Sequence, residues 1–215
     1  MSAPNLARAA RMAYRALLAR SAGTLPVDPL DFLQACRNTR VLTLQAAAEA
    51  LGVPAEDLAG LFAAGVAAVT LQQRDAERAA YIVVYRPEGN PARLRFTLAH
   101  ELGHRILGHE GSDPAAEAEA DCFASHLLCP EPALQQLLAR FGGRIAPEQI
   151  AAACYVSYGC ALTVLRRERP DLPADLLTAV GRLFAPAVDL YRPIDVPGRA
   201  EYRMIPGPDA GNNRG

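Results

Sequence analysis

The chain has 215 residues, 51% of them apolar, and a formal net charge of −1. That suits one domain, or a domain with a small appendage, around a sizeable core; it excludes wholesale disorder, and the near-neutral balance points neither to nucleic acid nor to an acidic membrane surface. The five cysteines (Cys36, Cys122, Cys129, Cys154, Cys160) are odd in number and form no CxxC pair, and no apolar run is long enough to cross a bilayer. This argues against a disulfide framework, a thiolate zinc site and a membrane span, and for small buried thiols in a reducing, cytoplasmic compartment.

In chain order, a first helix is predicted over about 3–20, where Leu6, Ala10, Ala13 and Leu17 recur on one face. That is the pattern of an amphipathic helix docked on a domain. The four arginines before the first acid, Asp28, are also compatible with a transit peptide, but docking is the preferred reading. Gly23 and Pro26 break the helix and a second fits about 28–38. Val41–Leu44 reads as a short strand, followed by helical stretches to about Phe62. Val66–Gln72 and Tyr81–Arg86 are rich in β-branched and aromatic residues and read as two strands of an antiparallel sheet, a hairpin with a long polar turn.

From Arg93 the period becomes helical, with Phe96, Ala99, Gly103 and Leu107 on one face, Leu98, Leu102 and Ile106 extending it, and an end near Gly108. Asp113 is the expected N-cap of the next helix, with Pro114 at its first position, and Pro130 stops that helix at Leu128 or Cys129. Further helices fit about 131–141, 147–154, 157–168 and 173–184. Gly142-Gly143 is the expected boundary between a core domain, 1–142, and a helical appendage, 143–190. The tail, 191–215, is expected to be loose, with no periodicity after Pro193.

The chemistry concentrates at 100–104, HELGH. Residues four apart on a helix lie about one turn apart, so His100 and His104 present two imidazoles to one point, and Glu101 reaches a water held there. A catalytic zinc site usually takes a third protein ligand and leaves one position for water. The next helix offers Glu117, Glu119 and Asp121. Glu117 and Asp121 share a face, whereas Glu119 points elsewhere. With a short loop at 109–113 the two helices run antiparallel, bringing Glu117 to the height of His104 and Asp121 to the outer nitrogen of His100. All four histidines fall between positions 100 and 126. His109 and His126 are not needed as ligands and are read as supporting or exposed groups.

These residues also carry a resemblance. RLRFTLAHELGHRILGH followed by EAEADCFASHLLCP resembles the ImmA/IrrE family of metallopeptidases, with Cys129 where the family usually has methionine, and YVSYGCALTVLRR at 155–167 is similar to a third family segment. The resemblance is most specific over about 93–130. It implies an α+β fold: a mainly helical, zincin-like core of the thermolysin (gluzincin) type with a small three-stranded antiparallel sheet, plus the helical appendage. It implies zinc, one per chain, on His100, His104 and Glu117, with Glu101 as catalytic glutamate. It also implies a cytoplasmic enzyme that cleaves helix-turn-helix repressors controlling phage, mobile-element or stress genes.

The expected reaction is peptide hydrolysis, with Glu101 taking a proton from water and passing it to the leaving amine. Tyr81, Tyr155, Tyr158 and His109 are available to stabilise the oxyanion or contact substrate, and the strand at 81–86 offers an edge for an extended peptide. A two-histidine, one-carboxylate set also accepts manganese or iron. Two other classes compete. The segment 147–167 has a helix-turn-helix rhythm, as in a DNA-binding regulator, but its second helix begins YGCALTVL and carries arginine only at its end, which argues against direct DNA reading. A non-catalytic metal sensor would have no need of Glu101.

Overall fold

The computed structural model describes residues 3–62, 66–74, 79–111 and 113–192. The fold is α+β. Its elements are α1 (Leu6–Arg20), α2 (Pro29–Gln34), β1 (Thr39–Thr43), α3 (Leu44–Leu51), α4 (Ala55–Ala59), β2 (Ala68–Arg74), β3 (Ala79–Tyr85), α5 (Pro91–Leu107), α6 (Pro114–Leu128), α7 (Glu131–Arg140), α8 (Pro147–Cys154), α9 (Tyr158–Arg166) and α10 (Ala174–Leu190). None of these helices is long and apolar enough to cross a membrane.

The sheet is mixed, not antiparallel as expected. Its order is β1-β3-β2, with β3 parallel to β1 and antiparallel to β2. The cause is topological. β3, AAYIVVY, buries Val83 and Val84 on opposite faces and takes the centre. β1 and β2 run in opposite directions, so a strand inserted between them must be parallel to one and antiparallel to the other. The central place also removes β3 as a binding edge, because both its flanks are paired; β2, with Thr70 and Gln72, is the edge strand beside the helices. The ladder runs out to Arg74 and Ala79, past the apolar residues, so the connection is shorter than expected. Its residues, 75–78, lie outside the described ones, as does the tail from 193.

The main core is one apolar cluster that runs through α1, α5, α6, α7, α8, α9 and α10, with Tyr14, Leu17, Leu102, Phe123, Leu134 and Phe184 fully enclosed. α1 buries Ala9, Ala10, Ala13, Tyr14 and Leu17 and packs against α5 and α6. The helices beyond Gly142-Gly143 contribute Ile150, Val164 and Val180 to this same cluster, so 143–190 is packed on the rest without a core of its own. Two helix lengths differ from expectation. α2 stops at Gln34, and α10 continues through Pro186 to Leu190. Val188 is buried beyond that proline, and the Arg140 guanidinium donates to its carbonyl, which holds the last turn.

Candidate metal centre

Local sequence sets the helix that carries HELGH. The Asn90 side chain accepts the amides of Ala92 and Arg93 at 2.9 and 3.2 Å, Pro91 fills the first position, and Gly108, at φ 73°, ends the helix in the left-handed region. α6 starts as expected: Asp113 accepts the amides of Ala115 and Ala116 at 2.8 and 2.9 Å. The distance between the two helices depends on Gly103. A Cβ there would sit 3.2 Å from the Cα and carbonyl oxygen of Ala120 and from Cβ of Phe123. Glycine therefore lets the α6 backbone lie directly on α5, which brings Glu117, one turn before Ala120, to the level of the two histidines.

The resulting donor geometry is compact. Nε2 of His100 and Nε2 of His104 are 2.9 Å apart; Glu117 Oε2 is 3.3 Å from the first and Oε1 is 3.4 Å from the second. A tetrahedral ion bound at about 2.0–2.1 Å needs donors roughly 3.3 Å apart. Among the described residues, these three form the group whose donor atoms all lie within 4.8 Å of one another. The donor set thus fits a zinc-sized divalent ion with one open side.

Further contacts orient the two histidines of this group. Asp121 Oδ1 lies 2.8 Å from Nδ1 of His100, in an exposed position. Nδ1 of His104 faces Nδ1 of His109 at 2.9 Å, and Nε2 of His109 lies 3.2 Å from Glu119 Oε2. Glu119 stays outside the donor group, as its helical phase implied, but it is linked to the centre through His109, because the α5–α6 loop folds His109 back over His104. His126 is buried in the core, where it meets the Cys122 carbonyl at 2.8 Å, so it is neither exposed nor a ligand partner. Thr70 on β2 donates to Oε2 of Glu101 at 2.5 Å. No spacing rule points to Thr70, which is 31 positions from its partner.

Protonation follows burial and neighbours. Burial, with His100 and His109 alongside, drives His104 down to about 4, so its imidazole is neutral at cellular pH. Burial also opposes charge on His100, but the Asp121 bond and its charge outweigh it and raise that pKa. Burial lifts Glu101 above its ordinary value, against the Thr70 bond and His100, which pull down. A carboxylate raised in this way is a better proton acceptor. For Glu119 burial pulls up, but the Asn5 amide and His109 prevail and the pKa falls.

The centre lies in a cleft of about 800 Å³, bounded on one side by β2 through Ala68, Thr70 and Gln72. Tyr81 lines it, with Arg105 stacked 3.9 Å over its ring, and so does His109. Tyr155 and Tyr158 are not in its lining. They stand half-exposed at the turn between α8 and α9, Tyr155 beneath Arg95.

Residues 61–165 match the family described as the IrrE N-terminal-like domain, Peptidase_M78. The radiation response metalloprotease IrrE of Deinococcus radiodurans is 33% identical over 105 residues, 41% of this chain and 32% of that protein. The chain carries a domain of the ImmA/IrrE family. The ImmA/IrrE match takes in β2, β3 and α5 through nearly all of α9, and so includes His100, His104, Glu117, Thr70 and Asp121. It leaves outside α1, which packs on the back of the ImmA/IrrE helices, and α10. The chain matches only about a third of the length of its IrrE relative.

Proposed function

We propose that the chain is a zinc metallopeptidase in which His100, His104 and Glu117 hold the ion and Glu101 is the general base. The observation that carries this reading is the convergence of two Nε2 atoms, 2.9 Å apart, on one carboxylate whose two oxygens lie 3.3 and 3.4 Å from them, with the part-buried Glu101 next to the first in the sequence. Bound there, zinc supplies Lewis acidity, polarising a carbonyl and lowering the pKa of water towards about 7. Glu101, held by Thr70, accepts the proton of the attacking water and later delivers it to the leaving nitrogen. Asp121 fixes the tautomer of His100 by accepting from its Nδ1. Tyr81, which lines the cleft, is the tyrosine assigned to meet a developing oxyanion or the substrate. Manganese is a second ion that this donor set accepts.

The flank of β2 beside the cleft, unpaired among the described residues, suits an extended peptide that adds to the sheet by backbone pairing. The substrate proposed from the family resemblance is a helix-turn-helix repressor, cut at one or a few sites in the cytoplasm, with α9 and the exposed Tyr155 and Tyr158 as docking surface. The test is to incubate the zinc-loaded protein with such a repressor encoded beside it and, separately, with casein. Selective repressor cleavage that a chelator abolishes supports the proposal. Rapid casein digestion with the repressor left intact overturns it.

A further inference from the structure

His109 and Glu119 take no step in the reaction proposed above, yet their contacts lead from His104 to the start of α1. Glu119 Oε1 accepts the backbone amide of Asn5 at 2.8 Å, and Oε2 is 3.5 Å from the Arg8 guanidinium. Arg8 also donates to the carbonyl of Leu107 at 2.8 Å, at the end of the ligand helix α5. Asn5 is the N-cap of α1: its side chain accepts the Arg8 amide at 2.9 Å and its carbonyl the Ala9 amide at 3.1 Å. The Glu119 side chain is only 12% exposed and that of His109 11%, so these bonds are little weakened by solvent.

The proton inventory of this chain runs in one direction. For Nε2 of His104 to offer a lone pair to a metal, Nδ1 must carry the proton and donate it. His109 Nδ1 must then accept, which leaves the proton of His109 on Nε2, where Glu119 accepts it. Only an ionised carboxylate serves here, because Glu119 must accept from the Asn5 amide and from His109 together. An amide at this position has one acceptor oxygen for two donors. If its NH₂ faced His109, that ring would have to turn its proton towards His104 and force the ligand into the wrong tautomer.

We infer that His109 and Glu119 are positioning residues that lock the metal-binding tautomer of His104, and that through Asn5 and Arg8 they couple metal binding to the docking of α1. The inference rests on the metal reading above. Coupling of this kind is reciprocal: if docked α1 tightens metal binding by a given factor, the metal suppresses undocking of α1 by the same factor. α1 lies outside the matched family domain, so a segment beyond the catalytic unit would set how firmly that unit holds its ion.

The test uses the full chain and zinc alone. Zinc dissociation constants are measured by competition with a chromogenic chelator for the wild type, His109→Phe, Glu119→Gln and the double variant, with the unfolding midpoint of each apo form as a folding control. Each single change is expected to weaken zinc about 10–100-fold, the usual cost of losing a ligand's hydrogen-bond partner. The double change should cost no more than the worse single one, because both break one chain. In the wild type, zinc should slow amide exchange at Asn5, Arg8 and Ala9 about as much as the variants lose in affinity, and in Glu119→Gln this protection should vanish. Zinc affinities within twofold of wild type, or exchange at these amides indifferent to zinc, would overturn the inference while leaving the metal centre standing. A wild-type chain that takes up no zinc would overturn both. If His109→Phe does not fold, Glu119→Gln and the wild-type exchange data decide alone.

Discussion

The two walls of the cleft do different work. The α5–α6 wall supplies every proposed ligand within 18 positions of chain, from His100 to Glu117, and its geometry comes from two caps and one close helix approach. The sheet wall supplies none of the proposed ligands. It contributes Thr70 to the Glu101 carboxylate and a strand edge that is unpaired among the described residues. Metal affinity should therefore be a property of the helices alone, and proton transfer and substrate alignment a property that needs the sheet. Substitutions on one wall should separate from substitutions on the other.

The largest expected separation is at Glu101 itself. Glu101→Gln keeps the ligands and removes the base, so turnover should fall about 10²–10⁴-fold with zinc content intact. Turnover and zinc content measured on the same preparation check this, and a variant that cleaves at the wild-type rate would remove Glu101 as the base. On the helix wall, Asp121→Asn should weaken zinc binding or activity about 10–100-fold, read by chelator competition; its exposed position places it towards the lower end of that range.

Gly103→Ala tests the approach of the helices. The new methyl meets backbone at Ala120, so α6 must move away, at about 1–3 kcal/mol of stability by denaturant titration, and Glu117 should move with it and weaken zinc. Unchanged stability and zinc affinity would show that the close contact does not set the site.

The smallest effect should come from the sheet wall. Thr70→Val removes a bond that holds the Glu101 pKa down. That pKa should rise, the base should become available only at higher pH, and the acid limb of kcat/KM should move upward. Zinc affinity should stay at the wild-type value. A limb that stays fixed while zinc is lost would reverse the roles assigned to the two walls.

The same division explains what was legible in the sequence. Asp113, Pro114, Gly108 and the four-residue spacing of His100 and His104 are local signals, and the helix ends and the site residues they imply lie where the structure brings His100, His104, Glu117 and Asp121 together. The sheet depends on pairing between distant segments. The strands were visible as apolar runs, but the parallel partner of β3 and the edge position of β2 follow from the order in which they assemble. Thr70 was silent because its partner lies on another element. The link of Glu119 to the centre was silent because helical phase says which way a side chain leaves its own helix, and not what the neighbouring loop folds against it. The reach of α10 past Pro186 depends likewise on the contact of Arg140 with the Val188 carbonyl.

The central claim is that the two helices build a metal centre from His100, His104 and Glu117. Elemental analysis of the freshly purified chain, before and after dialysis against a chelator and re-addition of zinc, tests it most directly. The expected result is close to one divalent ion per chain, lost to the chelator, restored by zinc, and held far more weakly by Glu117→Ala. A chain that carries no metal and takes up no added zinc would contradict it.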